Sequence, residues 1–351
     1  MERCDILITA TGNLSREVVG ALSLIKGIPI RVMVGARNID DAAWLALSGN
    51  ARAAVTGSDV SFSSCAIPWQ NSSQFADLLE GMKPAIVLHL ASLQSPWSLN
   101  DGSEWSALVK EHGFGITAFR QAELLLTLLD ALQMASVSPI VINGCYPDVC
   151  NQLVSLLGYS VFTGIGNIAI LDAVLRAQMS LQAGETLKMI GHHYHIAQLT
   201  RTERTEFPEV WVNDARVGQE EDLFTSIMLP GDAKLNSITG STVAVLLKAL
   251  ITGEERLFNL PGPLGLPGGY PVRIAGRDLS LALPEDVVLH DVVDRNIALA
   301  TREGIQVTAD GIFVDAEVAT YWEKSESTLR MVKEAGHLIR ETNKNMLYDK
   351  R

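Results

Sequence analysis

Residues 5–16 read DILITATGNLSR, and this stretch decides the fold. A short apolar run, Ile6 to Ile8, leads into a turn around Gly12. Apolar residues then recur at helical spacing, at Val18, Leu22 and Ile25. The pattern predicts a buried strand, a tight turn and a helix, which is the opening of an α/β unit.

The same alternation continues along the first half of the chain. Strand-like runs such as 30–38, 84–92 and 138–144 alternate with helix-like runs such as 40–48 and 118–133. The strands are apolar on both faces, which predicts a parallel sheet covered by helices on both sides. We therefore expect an α/β fold in which a Rossmann doubly wound parallel sheet is followed by an α+β substrate domain.

The chain has 351 residues, more than one hydrophobic core usually organises. Residues 1–150 are predicted to form the Rossmann domain. Residues 151–351 are predicted to form the substrate-binding and catalytic domain, with a C-terminal helix. A cleft between the two domains is the expected position of the functional site.

Composition excludes several classes of partner. A net charge of −12 with no long basic cluster disfavours nucleic acid. Four cysteines without a CxxC pair, an N-terminus without a signal-peptide layout and the lack of an apolar run of about 18 residues favour a cytoplasmic protein with no membrane partner. We expect a small-molecule substrate and a homodimer or higher homo-oligomer.

The turn after the first strand is the first chemical signal. In the frame G-x-G-x-x-G, Ala10 and Ser15 replace the outer glycines and only Gly12 remains. In a strand-turn-helix context this glycine allows a pyrophosphate to approach the helix N-terminus, although a purely structural turn is the alternative. The residues predicted to bind a cofactor are those of the turn and two residues after later strands: Thr11, Gly12, Asn13, Leu14, Ser15, Arg16, Ala91 and Asn143.

The end of the second strand indicates which dinucleotide binds. NAD enzymes usually place an acidic residue there, whereas here the strand ends in Arg37 and Asn38. A guanidinium at that point suits the 2'-phosphate of NADP(H), and Arg16 is a second candidate cation. The alternative is a solvated arginine at a strand end. The form ATGNLSR also resembles the ATGxxGR turn of NmrA-like and other atypical short-chain reductases.

The second half of the chain resembles the lactate/malate dehydrogenase superfamily in the order of its motifs. That order runs through VINGCYPDVCNQLVSLLG, then GIGNIAILDAVLRAQM, then LKMIGHHYHI. The resemblance implies that His193 is the proton-transfer histidine, that Asp172 orients it, and that Arg176 binds a substrate carboxylate. Two departures from the family pattern are a gap of four residues between Asp172 and Arg176, and Tyr194 after the histidine.

The chemistry of these residue types agrees with that assignment. A histidine with an ordinary pKa near 6.5 can give a proton to a carbonyl oxygen at neutral pH, and a carboxylate on its far nitrogen stabilises the imidazolium. On a strand, His193 and His195 would share one face, opposite His192. A structural histidine cluster and a metal site are the alternatives. Family-4 glycosidases, relatives of the dehydrogenases, use NAD and a divalent ion, but Gly166 stands where their cysteine ligand would be, so no metal ligand is assigned.

Three further segments complete the prediction. Residues 92–117 suggest a lid or binding loop, from whose end Arg120 could reach the substrate. A D-G turn predicts a hairpin over 305–315 of unassigned role, and a long charged helix follows it. The sequence therefore predicts an NADPH-dependent oxidoreductase acting on a small polar carbonyl or imine substrate, and the resemblance to the family implies that this substrate bears a carboxylate. The alternatives are a family-4-glycosidase-like enzyme and a non-catalytic NmrA-like NADP(H) sensor.

Overall fold

The computed structural model describes residues 3–95, 98–99, 101–182, 184–325 and 329–342. A six-stranded, fully parallel sheet in the order β3-β2-β1-β4-β5-β6 forms its centre. The strands are β1 (Ile6–Ile8), β2 (Ile30–Ala36), β3 (Val60–Ala66), β4 (Ile86–His89), β5 (Ile140–Asn143) and β6 (Thr163–Gly164). This is the strand order of a doubly wound dinucleotide-binding sheet, and it confirms the predicted fold class.

Successive side chains of each strand point to opposite faces of the sheet. Apolar side chains therefore emerge on both faces, and helices cover both. Leu7 and Val87 pack into the hydrophobic core on one face, whereas Ile6, Ile8 and Leu88 pack into the core on the other. The helices connecting the strands are α1 (Asn13–Leu22), α2 (Ile39–Thr56), α3 (Ser72–Met82), α4 (Glu104–His112), α5 (Ala118–Met134) and α6 (Pro147–Leu156).

The sheet continues past residue 150, since β6 pairs with β5 at Thr163 and Gly164. The second half then adds two antiparallel three-stranded sheets and further helices. Its elements, in chain order, are α7 (Ile168–Met179), β7 (Leu187–Ile190), α8 (His193–Gln198), β8 (Glu209–Val212), β9 (Ala215–Arg216), α9 (Glu220–Thr225), α10 (Asn236–Thr252), β10 (Arg256–Pro261), β11 (Gly269–Ala275), β12 (Asp278–Leu281) and α11 (Leu289–Arg302).

Helix α10 joins the two halves. Gly240 lies against the backbone of Glu17 in α1, so closely that a Cβ there would be 2.7 Å from the Glu17 carbonyl carbon. Among the described residues, one helical stretch, Ala233–Thr252, is long and apolar enough to cross a membrane. Because 56% of it is buried within the fold, it has the character of a core helix.

The C-terminal region contains the predicted hairpin, as β13 (Gln306–Thr308) and β14 (Gly311–Asp315). The single long helix predicted after it is wrong. Two short helices, α12 (Ala316–Lys324) and α13 (Leu329–Ala335), are followed by β15 (Ile339–Thr342), which pairs in parallel with β14. After α13 the chain pairs with β14 through backbone hydrogen bonds and does not continue as a helix. Residues 343–351 lie outside the described part of the chain.

The predicted loop over 92–117 is also shorter than expected, because α4 and a 3-10 turn (Phe114–Thr117) occupy its second half. The Ser103 hydroxyl accepts the Ser106 backbone N–H and caps α4. Trp105 and Leu108 then supply its buried face. Cap and apolar spacing together outweigh the loop-like composition of the segment.

Candidate active site

A cavity of about 600 Å³ lies at the carboxyl ends of the parallel strands, where ligands bind in folds of this kind. The first half lines it with the turn after β1, the end of β2 and the segments that follow β4 and β5. The second half contributes residues of α7, α8 and α10, namely Ile170, His193, Ile196, Asn236 and Thr239.

The turn after β1 leaves the start of α1 open to this cavity. Gly12 is the N-cap residue and no side chain caps the helix, so the first backbone N–H groups of α1 have no side-chain acceptor. A Cβ added at Gly12 would meet nothing within 4 Å. The Ser15 hydroxyl is buried and unpartnered among the described residues. These orphaned donors at a helix N-terminus fit a pyrophosphate.

The predicted turn residues Thr11, Gly12, Asn13, Leu14 and Ser15 all line the cavity. Arg16 does not line it; its side chain is exposed, because α1 turns it away from the strand ends. A second cation from Arg16 is therefore not brought to the nucleotide side of the cavity.

The end of β2 also lines the cavity as predicted, through Arg37 and Asn38. The Asn38 side-chain oxygen accepts the Asp40 backbone N–H, which caps α2 and leaves Arg37 as the cation at this end. Trp69 and Gln70, in the loop after β3, line the same region and were not predicted. Their position directly after a strand of the central sheet was the signal that could have identified them.

The two residues predicted after later strands differ in position. Ala91, after β4, lines the cavity. Asn143, at the end of β5, is fully buried: its amide nitrogen donates to the Cys145 carbonyl at 3.1 Å and to Asn151 Oδ1 at 2.9 Å. Within the described chain, Asn143 is thus committed to the loop that follows β5.

His193 lies at the first position of α8, and the predicted strand through residues 192–195 is wrong. Strand β7 ends at Ile190, and His192 is the N-cap of α8. His192 Nδ1 accepts the Tyr194 backbone N–H, while the His192 backbone N–H donates to His195 Nδ1 at 3.0 Å. These local bonds favour a helix start over a strand, so His193 and His195 do not share a strand face.

The carboxylate paired with His193 is Glu303, which follows α11. His193 Nδ1 lies 2.6 Å from Glu303 Oε1, and the Tyr146 hydroxyl donates to Glu303 Oε2 at 2.8 Å. The Phe114 ring stacks on the imidazole with centroids 4.7 Å apart. His193 and Tyr146 both contact Glu303 and both line the cavity, and of the two it is the His193 ring that can exchange a proton near neutral pH.

The pKa values of the group follow from this geometry. Burial disfavours the charged form of His193, but the charge and hydrogen bond of Glu303 outweigh it and raise the pKa of His193 above its ordinary value. The same pairing outweighs burial at Glu303 and lowers the pKa of that carboxyl. Burial, with the neighbouring His192, lowers the pKa of His195 to about 3, so His195 is neutral at physiological pH.

A second buried carboxylate, Asp148, holds the same region in place. Asp148 Oδ1 accepts the His193 backbone N–H at 2.8 Å, and Oδ2 accepts from the Asn167 side chain. Asn167 lines the cavity with an unusual backbone conformation, φ 45° and ψ −110°. Strained residues persist where their surroundings fix them, and they cluster at functional sites.

Asp172 and Arg176 are placed differently from the dehydrogenase analogy. Asp172 accepts from Arg176 Nε at 2.9 Å and from Asn259 Nδ2 at 2.7 Å, so its bonds run along α7 and to β10. Neither residue lines the cavity. The four-residue gap puts Arg176 one turn from Asp172, where the two side chains pair with each other.

Arg120 also points away from the cavity. Its guanidinium lies 4.2 Å from the Trp105 ring centroid and donates to the Tyr321 hydroxyl at 3.3 Å. The next residue on α5, Gln121, lines the cavity instead. Consecutive helical residues point about 100° apart, so a prediction that is wrong by one residue selects a different face of the helix.

Glu303, Asp148 and Gln121 were not predicted. Glu303 is 110 residues from His193 in sequence, in a segment that composition describes only as the end of a helix. No spacing rule links two residues so far apart. Asp148 follows a strand of the central sheet, and that position was the one signal available for it.

Comparison with known proteins finds solved structures with the same fold but no matching sequence family. No family model matches the chain, and no curated protein sequence matches it. Solved structures do match. The malate dehydrogenase from Aeropyrum pernix shares 14% identity over 85% of this chain and 96% of its own, with a TM-score of 0.54.

Two other structures extend this similarity. The lactate dehydrogenase from Cryptosporidium parvum, complexed with lactic acid and nicotinamide adenine dinucleotide, shares 14% identity over 86% of this chain and 96% of its own, with a TM-score of 0.55. A 6-phospho-alpha-glucosidase from gut microorganisms, in complex with NAD and glucose-6-phosphate, shares 9% identity over 98% of this chain and 100% of its own, with a TM-score of 0.56. The resemblance to the dehydrogenase superfamily is thereby confirmed at the level of the fold.

Proposed function

We propose that this protein is an NADP(H)-dependent oxidoreductase that transfers a hydride to or from a small polar carbonyl or imine compound. The observation that carries the proposal is the cavity itself. It places an uncapped helix N-terminus and an arginine at a strand end on one side, and a histidine paired with a buried carboxylate on the other. A dinucleotide enzyme with acid–base chemistry needs these two sets of groups in one cleft.

The nucleotide side fits the cofactor. The open N-terminus of α1 and the Ser15 hydroxyl would hold the pyrophosphate, and Arg37 would hold the 2'-phosphate of NADP(H). When bound, the nicotinamide supplies or accepts the hydride. Arg37 favours NADP(H) over NAD(H), whose adenosine ribose carries no phosphate for it to bind.

The other side performs the proton transfer. In the reductive direction, protonated His193 holds a proton at Nε2 and gives it to the substrate oxygen or nitrogen. Glu303 on Nδ1 fixes the orientation of the ring and stabilises its positive charge. In the oxidative direction neutral His193 accepts the same proton. Tyr146 and Phe114 hold Glu303 and the imidazole ring in place.

The cofactor proposal is tested with Gly12→Val. A branched side chain at Gly12 would project into the cavity and occupy the space of the pyrophosphate, while the open surroundings of Gly12 leave the fold unaffected. We expect titration calorimetry to show NADPH binding to the wild type and none to a variant whose circular dichroism is unchanged. Equal NADPH affinity in the two proteins would place the dinucleotide elsewhere.

The catalytic part is tested by following NADPH consumption with a panel of carbonyl and imine compounds, with His193→Ala as the inactive control. Turnover that requires a divalent ion and cleaves a glycoside would favour the glycosidase-like alternative. Tight NADPH binding without hydride transfer to any compound would favour an NADP(H) sensor. Either result would overturn the proposed reaction.

A further inference from the structure

The wall of the cavity near His193 carries an unusual set of charges. Two buried carboxylates, Glu303 and Asp148, bond to the side chain and the backbone of His193. His195 is held neutral by burial, so the acidic side chains of Glu303 and Asp148 outnumber the imidazole that pairs with Glu303, that of His193. An anionic ligand would be repelled by this charge.

No lysine or arginine of the described chain lines this part of the cavity, and Arg295 and Arg302, which lie near His195, are paired with Glu209 and Glu206. Within the described residues, Arg37 is the one lysine or arginine that lines the cavity, and it lies at the end of β2. The two arginines expected to approach the substrate, Arg176 and Arg120, are bound to Asp172 and to Trp105 and Tyr321.

Two of the neutral carboxamides on the cavity wall belong to buried residues. Gln121 on α5 is 2% exposed and Asn236 on α10 is 9% exposed. Neither side chain forms a hydrogen bond with the described part of the chain. Neither amide belongs to the enclosed polar atoms that lack a partner, so both amide groups open onto the cavity, where a bound ligand can donate to them and accept from them.

Building on the proposed function, we infer that the substrate is an uncharged carbonyl compound bearing an amide or hydroxyl group, and that Gln121 is a residue that selects it. A carboxamide donates one hydrogen bond and accepts another from a neutral polar group. Apolar side chains, Leu93, Leu124, Ile170 and Ile196, form much of the remaining wall. A substrate carboxylate would enter this site without a cation and against the charge of Glu303 and Asp148.

The test uses matched pairs that differ only in charge: pyruvate against pyruvamide, and phenylglyoxylate against phenylglyoxylamide. NADPH consumption gives kcat/KM, and thermal shift of the NADP-loaded protein gives binding. We expect the amide of at least one pair to be preferred by about tenfold to a hundredfold. Gln121→Leu should remove most of that preference, because it weakens the binding of the amide compound. The near-isosteric Gln121→Glu should weaken the binding of the acid further.

Gln133→Leu, on the exposed face of the same helix, is the matched control and should leave the preference unchanged. Preference for the acid, equal use of both members, or no binding of either amide would overturn the inference. An unchanged preference in both Gln121 variants would overturn the role of Gln121. If an amide binds but no compound oxidises NADPH, the ligand class stands and the proposed reaction fails.

Discussion

One wall of the cleft comes from short, local stretches of chain, whereas the opposite wall is assembled from four distant segments. The nucleotide wall consists mainly of the turn after β1 and the end of β2. The His193 wall joins Phe114, Tyr146, His193 and Glu303, with 157 residues between the hydrogen-bonded Tyr146 and Glu303. The turn after β1 is therefore visible in local sequence patterns, while the pairing of His193 with Glu303 depends on the completed fold.

The largest expected effect lies in the His193 wall. His193→Ala should lower kcat by about 10²- to 10⁴-fold while NADPH affinity stays near that of the wild type. Glu303→Gln should lower kcat substantially, and the double variant should be little worse than His193→Ala, because the two residues act as one unit. Steady-state kinetics of the three variants measure this coupling. If the loss of kcat in the double variant equals the product of the two single losses, His193 and Glu303 act independently and the paired character of this wall is contradicted.

The same pair predicts a pH dependence. Reduction needs protonated His193, so its rate should fall as pH rises through the pKa of His193, which Glu303 raises above 6.5. Without the Glu303 charge, burial lowers that pKa and only Asp148 still opposes it. Glu303→Gln should therefore move the basic limb of the kcat/KM profile to lower pH. An unmoved limb would mean that another group supplies the proton.

A smaller effect is expected at the nucleotide wall. Arg37→Ala should reduce the preference for NADPH over NADH by about ten- to a hundredfold, the value of roughly 1.5–3 kcal/mol for a charge-assisted contact to a phosphate. Equilibrium binding of both cofactors to both proteins measures it. Arg16→Ala is the matched control, since Arg16 is exposed and does not line the cavity. Equal affinities of the wild type for the two cofactors would contradict this interpretation of Arg37.

The smallest effect is expected at Asp172, the residue that analogy assigned to His193. Asp172→Asn weakens bonds to Arg176 and Asn259 that lie outside the cavity. We expect kcat to change by less than about threefold and the free energy of unfolding to fall by about 1 kcal/mol. Urea unfolding measures the free energy of unfolding and steady-state kinetics measure kcat, both on the same preparation. A loss of kcat as large as that of His193→Ala would restore Asp172 as the orienting residue.

The comparison also shows how far sequence reasoning extends. The parallel sheet, the turn at Gly12 and the hairpin near Asp310 followed from local periodicity and turn chemistry, which neighbouring residues fix. His193 was proposed as the proton-transfer residue by analogy of motif order. The strand predicted around it was wrong, because the start of α8 depends on side-chain bonds of His192 and His195. Glu303 was missed because its proximity to His193 exists only after α11 has packed.

Two glycines adjoin in sequence the residues that contact the His193 ring, Phe114 and Glu303, and they carry an evolutionary consequence. Gly113 and Gly304 both have positive φ, 104° and 93°. A Cβ on Gly113 would lie 2.6 Å from the Glu303 carbonyl oxygen, and one on Gly304 would lie 2.1 Å from the His112 carbonyl oxygen. Descendants of this gene that keep the Glu303 pairing must keep both glycines, so the three positions should be inherited together. A lineage that replaced Glu303 would be free to lose the glycines, and their joint loss would mark a change of chemistry.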